Sequence, residues 1–375
     1  MALLSAQLNP NCSVLEFGRQ ANPISHMIIG GALLTIPMRR AKKKIHLINP
    51  MREIAGSEMR VVELYNMLKE TADVTVWTEW DPAPALAEAI PIRRLRPRRG
   101  QFPLTGTLVF VGFWFAVGRW AWLSLARRRI ILCNTMPKNP EHFVNMRKMV
   151  SCRGIRRVEF AYSGLEVAHA IGLPGPILPS LINLTRFTPR HAALQKGSFT
   201  VGRISRDVVD KHHEGAPALY QRLISAGCSV RVIGGTILRR WIPDPPTDLE
   251  LLPRCAEDSA TFMQGLDCFL YRTNDHWFET FGRVIFEAMA CGLPVVAHRR
   301  GGYSHFLRDR DDSLLFDTDE EAFELVIRLK TDSLLRDRIA RNARKRVEEI
   351  FSPASRAAMT QYFLTGKSAG LPTWP

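Results

Sequence analysis

The sequence lacks the paired cysteines that grip zinc or build disulfide frames. Its seven cysteines (Cys12, Cys133, Cys152, Cys228, Cys255, Cys268 and Cys291) are odd in number, scattered and never spaced C-x-x-C. That argues against both roles and for a reducing compartment. A full G-x-G-x-x-G is also missing, which weakens a dinucleotide-binding reading. No apolar run is long and clean enough to span a bilayer. Ile24 to Pro37 is only 14 residues, and Phe102 to Ala126 is interrupted by Arg119 and loosened by Gly106, Gly112 and Gly118. Aromatics interleaved on a basic strand, the mark of RNA-binding sheets, are not found either.

What is present is a chain of 375 residues, 46% hydrophobic and 23% charged. It is long enough for two folded domains of ~100 to 200 residues each. The net charge of +15 is unevenly placed: Met38 to Leu178 holds 23 Lys and Arg against 11 Asp and Glu, whereas Pro179 to the end holds 27 against 24. A basic first half suits anionic headgroups, nucleic acid or an acidic acceptor, unless it is only a solvated face. Residues 1–37 read as an extension, with a native start expected at Met38 and a weak membrane-surface anchor as the other reading. Five arginines between Pro91 and Gly100, followed by Trp114, Trp120 and Trp122, would let this half rest on an anionic membrane. The plainer expectation for Phe102 to Ala126 is a buried helix.

The most informative stretch runs from His276 to Gly302. Glu279 and Glu287 stand eight residues apart in an otherwise apolar segment. Thr280 is expected to cap a helix from Phe281 to Cys291, which Gly292 closes and Pro294 stops. Val295 to Ala297 then makes a buried strand, and Gly301 and Gly302 turn the chain. Free amides at Phe281, Gly282 and Arg283 form a phosphate cradle. A loop carboxylate, that cradle and a helical carboxylate can grip a sugar, a diphosphate and a ribose. The bland alternative makes Glu279 a loop charge and Glu287 a polar helix face.

This pattern resembles the E-x7-E signature of the group 1 retaining glycosyltransferases, which have two Rossmann-like domains. The resemblance implies an α/β fold of GT-B type, the two domains facing across a cleft, with Glu279 on the transferred sugar and Glu287 on the ribose hydroxyls. Gly56 and Ser57, after the strand Ile45 to Ile48, match the place where the family's backbone approaches the donor. Gly202-Arg203 matches the family's Gly-Arg, whose guanidinium meets the donor diphosphate. The family's Lys five residues later is displaced: Val208 holds that spacing, Lys211 arrives after a three-residue insertion, and Arg206 is the stand-in. Leu181 to Pro189 is similar to the family's linker. The strand Leu266 to Tyr271 departs from the pattern, ending in Arg272-Thr273 where the family has Pro-Ser.

The resemblance therefore assigns catalytic roles to Glu279, Arg203 and Lys211. Donor contacts fall to Glu287, Phe281, Gly282, Arg283, Gly56 and Ser57, and to Gly234, a tight approach point after the strand Val230 to Ile233. His142, in the polar loop from Asn134, is placed to reach an acceptor hydroxyl. No metal or resident cofactor is expected, since Asp309-Arg310-Asp311 and Asp317-Thr318-Asp319 read as turns and helix caps. The expected domains are an extension (1–37), an acceptor domain (38–178), a linker (179–197), a nucleotide-sugar domain (198–351) and a tail returning to the first domain (352–375). The expected reaction is metal-independent sugar transfer, with retention, from a nucleotide sugar to a glycan or lipid-linked acceptor. Its expected place is cytoplasmic, with peripheral contact to an anionic membrane and no nucleic acid partner. A sugar-nucleotide epimerase, a phosphorylase, and a non-catalytic protein that binds membrane or nucleic acid are the alternatives.

Overall fold

The computed structural model describes residues 27–29, 32–34, 42–151, 157–189 and 197–375. Strands β1 (Met27–Ile29) and β2 (Ala32–Leu34) pair antiparallel in a unit of their own. The rest of the expected extension and positions 190–196 of the expected linker lie outside the described residues.

The body, Lys43–Pro375, holds two parallel sheets. The first contains β3 (Lys43–Ile48), β4 (Ala72–Thr78), β5 (Ile92–Arg94), β6 (Thr107–Val111), β7 (Arg128–Cys133) and β8 (Arg157–Tyr162), in the order β5-β4-β3-β6-β7-β8. After the short β9 (Gly175–Pro176), the second sheet contains β10 (Phe199–Ile204), β11 (Cys228–Ile233), β12 (Leu249–Leu252), β13 (Cys268–Tyr271), β14 (Val295–His298) and β15 (Leu314–Phe316), in the order β12-β11-β10-β13-β14-β15. Both orders run third, second, first, fourth, fifth, sixth. Such a sheet reverses direction between its first and fourth strands, and the crevice at their carboxyl ends is where ligands bind. Gly56 follows β3, Arg206 follows β10 and Tyr271 ends β13, so topology brings these three to the same crevice.

Parallel strands covered on both faces need continuous apolar runs. Cys268–Tyr271 and Val295–His298 are buried at every position. The stretch from Phe102 to Ala126 is not the expected buried helix. Gly106 (φ +93°) and Gly112 (φ +102°) bracket it into the five-residue strand β6, and only Trp120–Leu123 is helical. A side chain at Gly106 would meet the Lys44 carbonyl at 2.6 Å, so the close approach of β3 requires glycine there.

After the helix Ser333–Ile350, a last helix, Pro353–Thr365, packs back on the first sheet. Arg128 donates to the Tyr362 carbonyl (2.8 Å) and lies over its ring, and Lys43 donates to the Leu364 carbonyl (2.7 Å). β16 (Thr373–Trp374) then pairs antiparallel with β9. The five described cysteines are free thiols.

Candidate active site

A cavity of about 1050 Å³ opens between the carboxyl ends of the two sheets. Its second-sheet wall is built from interlocked charges. The Lys211 ammonium lies 2.5 Å from a Glu279 carboxylate oxygen, and the Tyr271 hydroxyl donates to the same oxygen (2.8 Å). Burial pushes the Glu279 carboxyl up, but the adjacent ammonium and the two hydrogen bonds outweigh it and hold the group below its ordinary value. Burial likewise depresses the Lys211 ammonium, and Glu279 partly restores it. Deeper in the wall, Arg283 pairs with Glu287 (3.1 Å) across one helical turn and donates to Ser180 (2.8 Å) and the Leu181 carbonyl (2.6 Å).

The helix that carries Glu287 spans Arg283–Ala290 and is entered through Gly282 in the left-handed region, φ +69°. A Cβ there would meet the Tyr303 ring at 2.9 Å, so only glycine fits. Thr280 is thus not the expected cap. Its hydroxyl crosses the cavity and donates to the Asn134 carbonyl (2.9 Å). Phe281 is buried and stacks on Phe286 at 4.5 Å, which leaves its side chain a packing role at the helix entrance.

The first-sheet wall is made differently. The helix Gly56–Leu68 begins at the cavity with no side-chain cap, so its first amides are open to a ligand. Ser57 pins three loops together: its oxygen accepts from Asn49 (2.9 Å) and Asn134 (3.1 Å). Glu58, next along the helix, lines the cavity yet is only 1% exposed, and burial raises its carboxyl to about 7. His142 lies on the first turn of the helix Pro140–Val150, because Pro140 starts that helix where a loop was expected. Its ring meets Phe113 edge-on at 5.5 Å.

Four lining side chains bury a polar atom that has no partner: Arg60 Nη1, His142 Nδ1, Ser163 Oγ and Trp277 Nε1. Buried polar atoms are normally paired, and ligand hydroxyls would satisfy these. Around the Trp277 ring stand Lys211 (4.5 Å), Arg206 (5.4 Å) and Lys138 (5.6 Å). Lys138 also donates to the His276 carbonyl, so both walls contribute cations to one indole. Trp277, Lys138, Tyr271 and Glu58 were not singled out from the sequence. Trp277 stands two residues before Glu279, and Glu58 follows Gly56-Ser57, so proximity to the motifs was the available signal.

Two expected contacts fall outside the cavity lining. Arg203 is 3% exposed and turned beneath the floor, where it donates to the Lys211 carbonyl and lies over the Tyr271 ring at 4.7 Å. Lys211 lies across that guanidinium, and the half-buried Arg206 lines the cavity instead. Gly234 gives its carbonyl to His212 Nε2 (2.8 Å), and a Cβ on it would strike the Ser205 carbonyl at 2.1 Å. It is a packing glycine. Burial and the neighbouring Arg203 hold the His212 imidazole down to about 3. The D-x-D stretches are engaged elsewhere: Thr318 caps the helix Asp319–Thr331, Asp319 pairs with Arg272 (2.6 Å) and Asp309 with Arg299 (3.0 Å).

Residues 246–346 match the family described as glycosyl transferases group 1. Lipopolysaccharide core biosynthesis glycosyltransferase LpsE of Rhizobium meliloti is 33% identical over 110 residues, 29% of this chain and 31% of that protein's length. Among solved structures, Anabaena Alr3699/HepE in complex with UDP-glucose superposes with a TM-score of 0.66 at 16% identity, covering 87% of this chain and all of that one. WaaG, a glycosyltransferase involved in lipopolysaccharide biosynthesis, does so with a TM-score of 0.59 at 13% identity, covering 86% and 100%. The chain has the GT-B fold. At these identities the structural likeness is one of fold. The sequence match to LpsE spans about a third of that relative.

Proposed function

We propose that this protein transfers a sugar from a nucleoside-diphosphate sugar to a glycan or lipid-linked acceptor, with retention of configuration and without a metal. The observation that carries the reading is the Lys211–Glu279–Tyr271 constellation facing the uncapped helix start at Gly56 across one cavity. The donor diphosphate lies between Lys211, Arg206 and the amides at Phe281 to Arg283. Glu279 holds the sugar hydroxyls, and Glu287 the ribose. As the bond from the anomeric carbon to the diphosphate breaks, charge grows on the leaving oxygen. A cation 4 Å away is worth ~1 kcal/mol in water but ~4 kcal/mol at an effective dielectric of 20, so an enclosed cavity makes these cations effective. The acceptor oxygen attaches on the face the leaving group departs from, and its proton passes to the leaving phosphate. His142 Nδ1 and Ser163 Oγ face the acceptor. The HepE complex with UDP-glucose favours a uridine donor, and LpsE favours a lipopolysaccharide-type acceptor. The protein works in the cytoplasm, at the membrane face where such acceptors are held.

Thermal melting against uridine, guanosine and adenosine diphosphates and their sugars, with magnesium or with chelator, tests this. Stabilisation of ~2.7 kcal/mol is expected at a hundredfold excess over Kd. It should occur with one base, be indifferent to chelator and fall to about half or less in Arg206→Ala. No stabilisation by any donor would overturn the reading. Donor breakdown that needs no acceptor would replace transfer by epimerisation or hydrolysis.

A further inference from the structure

At the other end of the first sheet lies a patch unlike the rest of its surface. Leu104, Trp122, Leu123 and Leu125 are 43% to 51% exposed. They come from a loop and the end of the short helix Trp120–Leu123, tied side by side: the Leu125 amide donates to the Leu104 carbonyl (2.7 Å), and Ser124 Oγ donates to the Pro103 carbonyl (2.7 Å). Scattered apolar side chains need no explanation, whereas four gathered together do.

Cations surround them. Arg98 and Arg99 project from a turn that Arg96 and Gln101 close by backbone hydrogen bonds, two residues before Pro103. Lys44 lies beside Gly106, and Arg127 is two residues past Leu125. None of these four side chains has a carboxylate partner among the described residues. Of the carboxylates on this edge, Asp73 stands opposite Lys44 in the register of β3 and β4, and Glu159 is already bound by Arg128 and Arg157. Tryptophan and leucine tips ringed by uncompensated arginines complement an anionic lipid surface: the apolar groups seat at the acyl boundary and the guanidinium groups at the phosphates.

We propose that this edge, Leu104 with Trp122 to Leu125 and the cations Lys44, Arg98, Arg99 and Arg127, docks the protein on an anionic membrane. The docking stands independently of the transfer reaction. One consequence rests on the glycosyltransferase reading. The patch lies at the amino-terminal ends of β6 and β7, and the cavity opens at their carboxyl ends. Docking therefore leaves the reacting atoms about one strand length, on the order of 20 Å, from the lipid. A membrane-anchored glycan several sugars long reaches that far, and a bare headgroup does not.

Flotation of the full chain with phosphatidylglycerol-containing vesicles, and with phosphatidylcholine vesicles, tests the surface. Binding is expected only to the anionic vesicles and should weaken with salt. Each of Arg98→Ser, Arg99→Ser and Arg127→Ser should lower it about fivefold. The double variant Trp122→Ser, Leu125→Ser should abolish it while melting temperature and donor-induced stabilisation stay as in the wild type. Absence of binding, or equal binding by these variants, overturns the proposal. So does a concentration-dependent increase in solution mass that the double variant removes, because the patch would then belong to a second copy. Donor-induced stabilisation reads the cavity separately, so failure of the docking and failure of the transfer reading are distinguishable.

Discussion

The two walls of the cavity handle charge in opposite ways. On the second-sheet wall Lys211 is held by Glu279 and Arg283 by Glu287, so the charges are positioned before any ligand arrives. On the first-sheet wall the lining charges Glu53, Glu58, Arg60 and Lys138 form no ion pair with one another. An uncapped helix start, a pinned serine, a buried carboxyl raised to about 7 and unpaired polar atoms at His142 and Ser163 face the same space. Under the proposed transfer, the second-sheet wall would meet a diphosphate, whose charge is constant from donor to donor, and the first-sheet wall would meet hydroxyls, which vary with the acceptor and need hydrogen-bonding groups left open.

The sharpest way to break this comparison is to unlock a pair. Glu279→Gln should cost ~100- to 1000-fold in sugar transfer and also lower stability by about 3 kcal/mol, because Lys211 is left buried without its partner. Adding Lys211→Met should restore the melting temperature but not turnover. If Glu279→Gln and Lys211→Met, each alone, transfer sugar at the wild-type rate, the locked wall has no catalytic part.

His212 tests how tightly that wall is packed. Its imidazole is depressed in the folded state, so the unfolded chain takes up a proton first as pH falls. Stability should therefore drop between about pH 6.5 and pH 3, by several kcal/mol. Urea unfolding across this range should show the slope, and His212→Gln should flatten it. Glu58 on the other wall has the opposite sign. Its carboxyl is raised when folded, so the unfolded chain loses its proton first, and stability falls as pH rises from about 4.5 to about 7. Glu58→Gln should gain up to ~3 kcal/mol above pH 7 and nothing near pH 4.

Smaller effects separate the half-buried cation that lines the cavity from the buried one beneath it. Arg206→Ala should weaken donor binding by roughly 10- to 100-fold with the fold intact, the range of a lost charge-assisted hydrogen bond. Arg203→Ala should instead lower the melting temperature, since its guanidinium supports the Lys211 carbonyl from below. Equal loss of donor affinity in both would mean that Arg203 rises into the cavity when the donor binds. The least effect is expected at the contact between walls: Thr280→Val removes one hydrogen bond, about 1 kcal/mol, and should cost roughly fivefold in kcat/KM, with Thr280→Ser near wild type.

Much of the second domain was legible in the sequence because its informative residues are local. Glu279, Gly282, Glu287, Gly292 and the run Val295 to Ala297 lie within twenty residues, and each acts through its own helix, turn or strand. The two parallel α/β sheets were implied by the family resemblance that those local motifs carry. The first wall was less legible because Gly56, Asn134, His142 and Ser163 meet only when β3, β7 and β8 align their carboxyl ends, a matter of strand order rather than spacing. Tertiary structure alone decided which of several nearby cations lines the cavity. Arg203 and Arg206 differ by three positions, and nothing local distinguishes them. The chain's course from β10 to Lys211 buries one beneath the floor and leaves the other at the cavity. The same holds for Thr280, a plausible cap by sequence, whose hydroxyl is claimed by a carbonyl 146 residues away because the chain brings the two walls together.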